Sequence, residues 1–393
     1  MNFQLRPHQE RGNFAMQNYS KGQLIMPTGA GKTLTMICDA MREFESQTSK
    51  TIVVVAPRIL LSEQLSSEFL EFITNADVMH VHSGETHHFS TTRPKLIKAN
   101  YDLSKDQNRH LLIFTTYNSL NKLQDADIEV DTIYFDEAHN SVKKNFYPAT
   151  EHFSYTAKRC YFFTATRKTS VNVSKPGMND YAVYGDIICR VSAPELVDGG
   201  YIIPPRVIAK KFDVLGAKQI TSECDSANLL ETLDETESKK VLVCVKTTKQ
   251  LSNLVSQTDF CTELQNRGYS YLYITSKTGA IIDGQKVNRE VFFDTLNAWG
   301  KDPNKKFVCL HRSILSEGIN VSELEAVIFL RNMDVIEMVQ TIGRVLRKGS
   351  STKTFGLCVV PVYSNTGIAT ERALQSVVNA VFENGDLLDS VVR

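Results

Sequence analysis

Leu24-Ile25-Met26-Pro27-Thr28-Gly29-Ala30-Gly31-Lys32-Thr33 joins an apolar run to a helical pattern that continues from Leu34 to Phe44. Where an apolar strand ends in a glycine-punctuated turn and a helix follows, successive backbone N–H groups and the positive end of the helix dipole converge on an anion. Gly29 and Gly31 permit the close approach. Lys32 is placed to reach terminal phosphates, and the Thr33 hydroxyl to ligate a bridging magnesium ion. Met26 stands where the loop formula asks for a first glycine. Glycine-rich turns also join strands to helices with no ligand, and what flanks this one separates the two cases.

Upstream, Leu5-Arg6-Pro7-His8-Gln9 opens a helix-like stretch to about Ser20, with Pro7 in its first turn. The Gln9 amide offers a donor beside an acceptor, the pattern that the N6/N7 edge of adenine requires, so it can select ATP over GTP. A glutamine at a helix start is also an ordinary solvated cap. Downstream, Thr51-Ile52-Val53-Val54-Val55-Ala56 is a β-branched run of the kind buried on both faces, and Ile59 to Phe72 has helical spacing. Pro57 and Arg58 then lie at the carboxyl end of a strand, where open α/β sheets bind ligands. Ser83 to Arg109 is polar and weakly periodic and reads as an exposed excursion, with His82, His87 and His88 as surface side chains lacking a metal-ligand pattern. Leu111-Leu112-Ile113-Phe114 is another buried strand. It ends in Thr115-Thr116-Tyr117, whose hydroxyls suit nucleic-acid phosphates or simply a strand end.

Thr132-Ile133-Tyr134-Phe135-Asp136-Glu137-Ala138-His139 carries the second half of the chemistry. Two carboxylates at the end of an apolar strand are costly unless they face a cation or a reacting water. Asp136 would hold the magnesium, and Glu137 would orient and deprotonate the water that attacks the γ phosphate. Arg159 to Thr166 is again a strand, and its Thr164 and Thr166 are placed to sense the acidic strand beside it.

With 393 residues the chain holds about two ordinary domains. Its 44 basic residues balance its 44 acidic ones, so no global field draws it to a polyanion and any nucleic-acid contact is local. The eight cysteines lie far apart, several in strand-like runs, and read as reduced core residues of an intracellular protein. No apolar run reaches membrane-spanning length and the N-terminus lacks signal-peptide architecture, so the expectation is a soluble, cytoplasmic chain.

Ala193 to Pro205 reads as a short helix, a Gly199-Gly200 stop and the extended strut Pro204-Pro205. This divides the chain at 1–203 and 204–393. The second part repeats the alternating pattern, with strand candidates at Val241–Val245, Tyr271–Ile274, Phe307–Leu310, Ala326–Leu330 and Thr354–Val360. It has no phosphate loop. It has Ser316-Glu317-Gly318-Ile319 and Gln340-Thr341-Ile342-Gly343-Arg344-Val345-Leu346-Arg347. Arg344 and Arg347, three apart, project from one face of a helix. If that face closes on the phosphate loop, a guanidinium can neutralise charge developing on the γ phosphate.

In this order the elements resemble those of the superfamily 2 helicases and translocases, over nearly the whole chain. The resemblance implies two tandem RecA-like α/β domains, parallel sheets flanked by helices, with ATP and Mg2+ in the cleft between them. It implies that Arg6, Gln9, Thr28, Gly29, Ala30, Gly31, Lys32, Thr33 and Gly318 bind the nucleotide, and that Thr33 and Asp136 hold the metal. Lys32, Asp136, Glu137, Gln340, Arg344 and Arg347 would be catalytic, His139, Thr164 and Thr166 would couple, and Pro57, Arg58, Thr115 and Thr116 would touch the nucleic-acid backbone. The flanks Leu-Arg-Pro-His-Gln, Gly-Tyr-Ile-Ile-Pro-Pro and Ile-Gly-Arg-Val-Leu-Arg are similar to the branch of restriction-enzyme motors, phage recombination helicases and DNA-repair translocases, which favours DNA over RNA. Met26, Arg167 and Asn320 depart from the family pattern. The expected activity is ATP-driven movement along or unwinding of DNA with slight sequence preference. An RNA helicase, a motor subunit of a larger restriction or transcription complex, and a nucleic-acid-independent protein remodeller are the alternatives, and a phage or large virus fits the economy of the chain.

Overall fold

The computed structural model describes residues 4–84, 86–172, 174–212, 221–275, 277–312, 323–330, 333–347, 353–363, 367–387 and 389–392. Two compact units emerge: Met1–Ser192 with Leu387–Arg393, and Ala193–Asp386.

The first unit is built on β1 (Lys21–Ile25), β2 (Thr51–Ala56), β3 (Ala76–Val81), β4 (Phe89–Ser90), β5 (His110–Thr116), β6 (Thr132–Phe135), β7 (Arg159–Thr164), β8 (Lys168–Thr169) and β9 (Ile187–Arg190). All but β8 form one sheet in the order β4-β3-β5-β2-β6-β7-β1-β9, and every pairing in it is parallel. Its helices include α1 (Pro7–Asn18), α2 (Lys32–Glu43) and α3 (Ile59–Leu70). The β-branched run of β2 is buried at all six positions because it lies between β5 and β6, with helices covering both faces. Val53, Val55, Ile113, Ile133 and Phe162 share one core. The strand order also has a functional consequence. β2, β6, β7 and β1 are adjacent and parallel, so the segments that follow them, around Pro57, Asp136, Thr164 and Pro27, emerge along one rim.

The polar stretch 83–109 is not the exposed excursion its composition suggests. Preceding it, β3 pairs with β5, and within it a helix runs from Pro94 to Asp106 with Ile97, Tyr101 and Ser104 turned inward. Only those three positions keep the helical period, which is why the pattern is faint. His82 is buried, contrary to its reading as a surface side chain. Its Nε2 lies 3.0 Å from His80 Nδ1, and burial together with the neighbouring His82 and His88 pushes His80 down to about 4. Both imidazoles therefore serve as neutral core groups.

The second unit contains β10 (Pro205–Phe212), β11 (Lys240–Cys244), β12 (Ser270–Thr275), β13 (Gly279–Ile282), β14 (Gln285–Val287), β15 (Phe307–His311), β16 (Ala326–Phe329) and β17 (Gly356–Tyr363). They form a sheet in the order β10-β17-β16-β11-β15-β12-β13-β14. It is parallel from β10 through β12 and ends in an antiparallel β12-β13-β14 meander. Val241, Val243, Val308, Leu310, Ile328 and Val359 make up much of its core. The units differ from the sequence division in two places: the helix Ala193–Asp198 belongs with the second, and β18 (Ser390–Val391) returns to pair with β8 in the first. That helix packs against Val378–Glu383 of the second unit, and just beyond it Ile203 N donates to Leu346 O. None of the eight cysteines forms a disulfide. Among the described residues no helix is long and apolar enough to cross a membrane.

Behind the rim, one buried charge ties four elements together. Asp39 on α2 is fully buried. It accepts from Tyr134 Oη at 2.6 Å and from Arg159 Nη2 at 2.9 Å, and Arg42 also reaches it. The same Arg159 Nη2 donates to Met16 O of α1 at 2.9 Å. Removing one partner of a buried pair strands the other charge. Arg159→Ala is expected to lower the unfolding free energy of the first unit by about 3 kcal/mol, read as a drop in the urea midpoint of its transition. A change within the error of the midpoint would show that Arg42 and Tyr134 suffice for Asp39.

Candidate functional site

The loop after β1 is shaped by its backbone. Gly29 and Gly31 sit at φ 88° and 80°, conformations that a side chain disfavours. Ala30 N donates to Pro27 O at 3.1 Å, which closes the turn. Gly31 caps the start of α2, whose first residue is Lys32. Three side chains from the start of α1 hold the loop's carbonyls: Arg6 Nη1 donates to Gly29 O at 3.4 Å, His8 Nε2 meets Ala30 O at 2.8 Å, and Gln9 Nε2 donates to Gly31 O at 3.2 Å. A carbonyl can only accept, so His8 carries its proton on Nε2. One turn on, Asn13 Nδ2 reaches Thr35 O at 3.3 Å.

Gln9 is therefore not a free reader of adenine here. Its Oε1 accepts from Arg6 N at 2.9 Å, its Nε2 is on Gly31 O, and the residue is 1% exposed. In this arrangement it braces the loop. Met26, where a glycine was expected, is fully buried and donates its N–H to Thr164 O at 2.9 Å, so its side chain fills core space where a glycine would leave none occupied.

Lys32 Nζ lies 3.8 Å from Glu137 Oε1. Asp136, at the end of β6, is 7% exposed; burial, then the charge of Glu137, pushes its carboxyl up to about 7, with Lys32 pulling the other way. Such a group favours a cation beside it. Tyr117 Oη donates to Asp136 O at 2.9 Å and fixes the strand end. Glu137 has φ 45°, a strained backbone for a residue with a side chain, and this bend turns its carboxylate toward Lys32. His139 Nδ1 lies 3.5 Å from Glu137 Oε2 and 3.1 Å from Thr164 Oγ1. Burial lowers its pKa to about 4, so the ring is neutral at physiological pH. Thr164 Oγ1 in turn donates to Thr166 O at 2.7 Å.

Thus the first unit gathers the loop residues 28–33 with Arg6, Gln9, Asp136, Glu137, His139, Thr164 and Thr166. Arg58 is exposed beyond β2, with Pro57 half-buried beside it. Thr115 and Thr116 are otherwise disposed: Thr115 is fully buried and Thr116 3% exposed. Their hydroxyls bond inward, Thr115 to Val81 O at 2.9 Å and Thr116 to Ser119 Oγ at 3.4 Å. β5 is an interior strand, so its last residues are covered from both sides. Arg167 follows Thr166, and its Nε and Nη2 grip both oxygens of Asp389 at 3.1 and 2.5 Å.

In the second unit Gln340 and Arg344 lie on the helix Val335–Val345, with Arg344 7% exposed. Arg347 is not on the same helical face as Arg344, because the helix ends at Val345 and Arg347 bridges antiparallel to Ile202. Gly318 and the stretch around it lie outside the described residues. Sequence reasoning overlooked His8, Asn13, Tyr117 and Asn140. The i, i+4 spacing of Gln9 and Asn13, both amides ahead of a phosphate loop, was the available signal.

Two largely parallel sheets in tandem, one carrying a glycine-rich phosphate-type loop beside a buried acidic pair, define a pair of RecA-like domains. The family described as "Type III restriction enzyme, res subunit" matches residues 2–169, and the "Helicase conserved C-terminal domain" matches residues 225–349. The chain belongs to the superfamily 2 helicases and is related to the restriction-enzyme motors. Among solved structures it is similar to the ATP-dependent Type ISP restriction-modification enzyme LlaBIII bound to DNA, with TM-score 0.77, 17% identity, and coverage of 100% of this chain and 31% of that one. A fragment of a putative HsdR subunit of a type I restriction enzyme from Vibrio vulnificus YJ016 matches with TM-score 0.63 and 15% identity, covering 98% and 68%. The Hef helicase domain of Pyrococcus furiosus gives TM-score 0.54 and 12% identity, covering 94% and 97%. The chain spans under a third of the first enzyme it matches. No curated protein matches it by sequence.

A Cβ added at Gly31 would meet Gln9 Nε2 at 2.2 Å, and its φ would cost a further ~1–2 kcal/mol. Gly31→Ala is expected to weaken ATP binding at least ~10-fold through that strain, measured with a fluorescent ATP analogue. Unchanged affinity would mean the loop relaxes without losing its shape.

Proposed function

We propose that this chain is an ATP-hydrolysing motor that moves along DNA, or unwinds it, with little sequence preference. One observation carries the reading: Lys32 of the phosphate loop, the Asp136–Glu137 pair and the His139–Thr164–Thr166 relay converge on one rim of the first sheet. In this reading Lys32 and the backbone around Gly29 to Thr33 hold the β and γ phosphates. Glu137 takes the proton of the attacking water, and His139 reports the state of that carboxylate to Thr164.

The donor set fits Mg2+, an ion held by one or two carboxylates plus phosphates: Asp136 supplies a buried carboxylate and Thr33 a hydroxyl. Among the described residues no cluster of three or more histidine, cysteine or acidic side chains offers a richer metal cage. When bound, the ion neutralises and orients the phosphates. In the family resemblance Gln340, Arg344 and Arg347 are assigned to catalysis and Gly318 to the nucleotide, with Arg344 or Arg347 as the arginine finger. Arg58 and Pro57 meet the nucleic-acid backbone. Thr115 and Thr116 then contribute through main chain, since their hydroxyls are spent inside the unit.

DNA is favoured over RNA by the DNA-bound restriction enzyme among the structural relatives. A second reading, that the chain works as the motor of a larger restriction-type assembly, is favoured by its covering 31% of that enzyme.

The test is ATPase activity with single-stranded DNA, duplex DNA, forked DNA and RNA. Duplex or forked DNA should stimulate turnover most, and the stimulation should fall as salt rises, because contacts to phosphates release counterions. Stimulation by RNA alone would move the chain to the RNA helicases, and no hydrolysis with any polymer would overturn the motor reading. Glu137→Gln should bind ATP normally while turnover falls ~10²–10⁴-fold; undiminished turnover would remove Glu137 as the base. Arg347→Ala should lower turnover by ~10³-fold with little change in ATP affinity, and an unaltered rate would leave Arg344 as the finger.

A further inference from the structure

We propose that Asn140 is a positioning residue that sets the tautomer of His139 and the posture of Glu137; the proposal rests on the ATP-hydrolysing reading above. Asn140 ends the short turn Ala138–Asn140 that follows the acidic pair. Its amide orientation follows from its neighbours. Oδ1 accepts from the Lys143 ammonium at 2.7 Å, and an ammonium has only donors, so that end is oxygen. The other end is NH2, and its two hydrogens have two targets: Glu137 O at 3.0 Å and His139 Nε2 at 3.2 Å.

A ring nitrogen facing an NH2 group must accept, so the neutral His139 ring carries its proton on Nδ1. Nδ1–H then points to Thr164 Oγ1, at 3.1 Å, whose own hydrogen goes to Thr166 O at 2.7 Å. The hydrogen bonds run in one direction, from Lys143 through Asn140, His139 and Thr164 to Thr166. If Asn140 did not donate, the imidazole could reverse and Thr164 Oγ1 would lose the His139 donor, keeping the Thr166 N–H at 3.3 Å. Asn140 acts on Glu137 as well: the Glu137 carbonyl receives both Asn140 N at 2.9 Å and Nδ2. Two donors from one residue hold the peptide that follows the strained Glu137, and with it the direction of the carboxylate.

Two substitutions separate this role from simple space filling. Asn140→Asp keeps the shape and the partner of Lys143 but presents oxygen to His139 Nε2 and to Glu137 O, forcing the proton to Nε2. Asn140→Ala removes the donor without imposing the wrong tautomer. DNA-stimulated turnover should fall ~10-fold in Asn140→Ala and ~100-fold in Asn140→Asp, the range seen when outer partners of a site are removed, with ATP affinity held in both. A residue that only fills space gives the opposite ranking, since aspartate is isosteric with asparagine.

Nitrogen NMR of histidine-labelled wild-type protein, with the His139 signal assigned by its loss in His139→Gln, should find Nδ1 protonated and Nε2 bare. A proton on Nε2 in the wild type, or Asn140→Asp turning over as fast as Asn140→Ala or faster, would overturn the proposal. Should wild-type protein hydrolyse no ATP with any polymer, the motor reading fails while the tautomer measurement still decides the role of Asn140.

Discussion

The site depends on where three carbonyls point. Those of Gly29, Ala30 and Gly31 are each engaged by a side chain from the start of α1, namely Arg6, His8 and Gln9. In a trans peptide the C=O of one residue and the N–H of the next point in opposite directions. Holding the Ala30 and Gly31 carbonyls against α1 therefore turns the N–H groups of Gly31 and Lys32 the other way, toward the start of α2, where its dipole also favours an anion. A flexible glycine turn has no such preference by itself. α1 supplies it, joined at Gly31 O by Thr35 of α2, and the buried link from α1 through Met16 O and Arg159 to Asp39 of α2 keeps the two helices in register.

The acidic side of the site needs a second constraint. Asp136 and Glu137 are successive carboxylates at the end of a buried strand, and burial, then the charge of Glu137, holds Asp136 well above the usual carboxylate range. Glu137 adds backbone strain of order 1–3 kcal/mol at φ 45°. Such strain persists only where surrounding bonds over-determine it. Here they are the Tyr117 hydroxyl on Asp136 O, the donors on Glu137 O, and Lys32 facing the carboxylate. The same groups that make the pair costly to fold make it responsive to a cation.

Much of this was legible from residue order. The β-branched and apolar runs located β2, β5, β6 and β7, and the strand-turn-helix around Gly29 to Thr33 located the loop, because these depend on local pattern alone. What local pattern cannot reveal is how a polar side chain is used. Gln9 carries the donor and acceptor that adenine would need, yet both are engaged by backbone groups brought close by the fold. Thr115 reads as a strand-end hydroxyl, but β5 lies between β3 and β2, so its end is interior. Arg347 has helical spacing from Arg344, but the helix stops at Val345 and its carboxyl end is drawn into a bridge with Ile202. The helix Pro94–Asp106 was missed because three inward residues are enough to seat a helix at a sheet edge and too few to mark it.

Thr164 is the joint through which these parts meet. Its carbonyl accepts from Met26 N at the entrance to the phosphate loop, and its hydroxyl lies between His139 Nδ1 and Thr166 O. Beyond it, Arg167 is held by Asp389, and β18 pairs with β8 just after the turn. The segment from Thr164 to Thr169 is therefore tied to both parts by two short paths, through Met26 to the loop that would hold phosphate and through His139 to the carboxylate that would activate water. Because β7 lies between β6 and β1, no longer route is needed. The strand order itself joins the glycine loop and the acidic pair to the same segment.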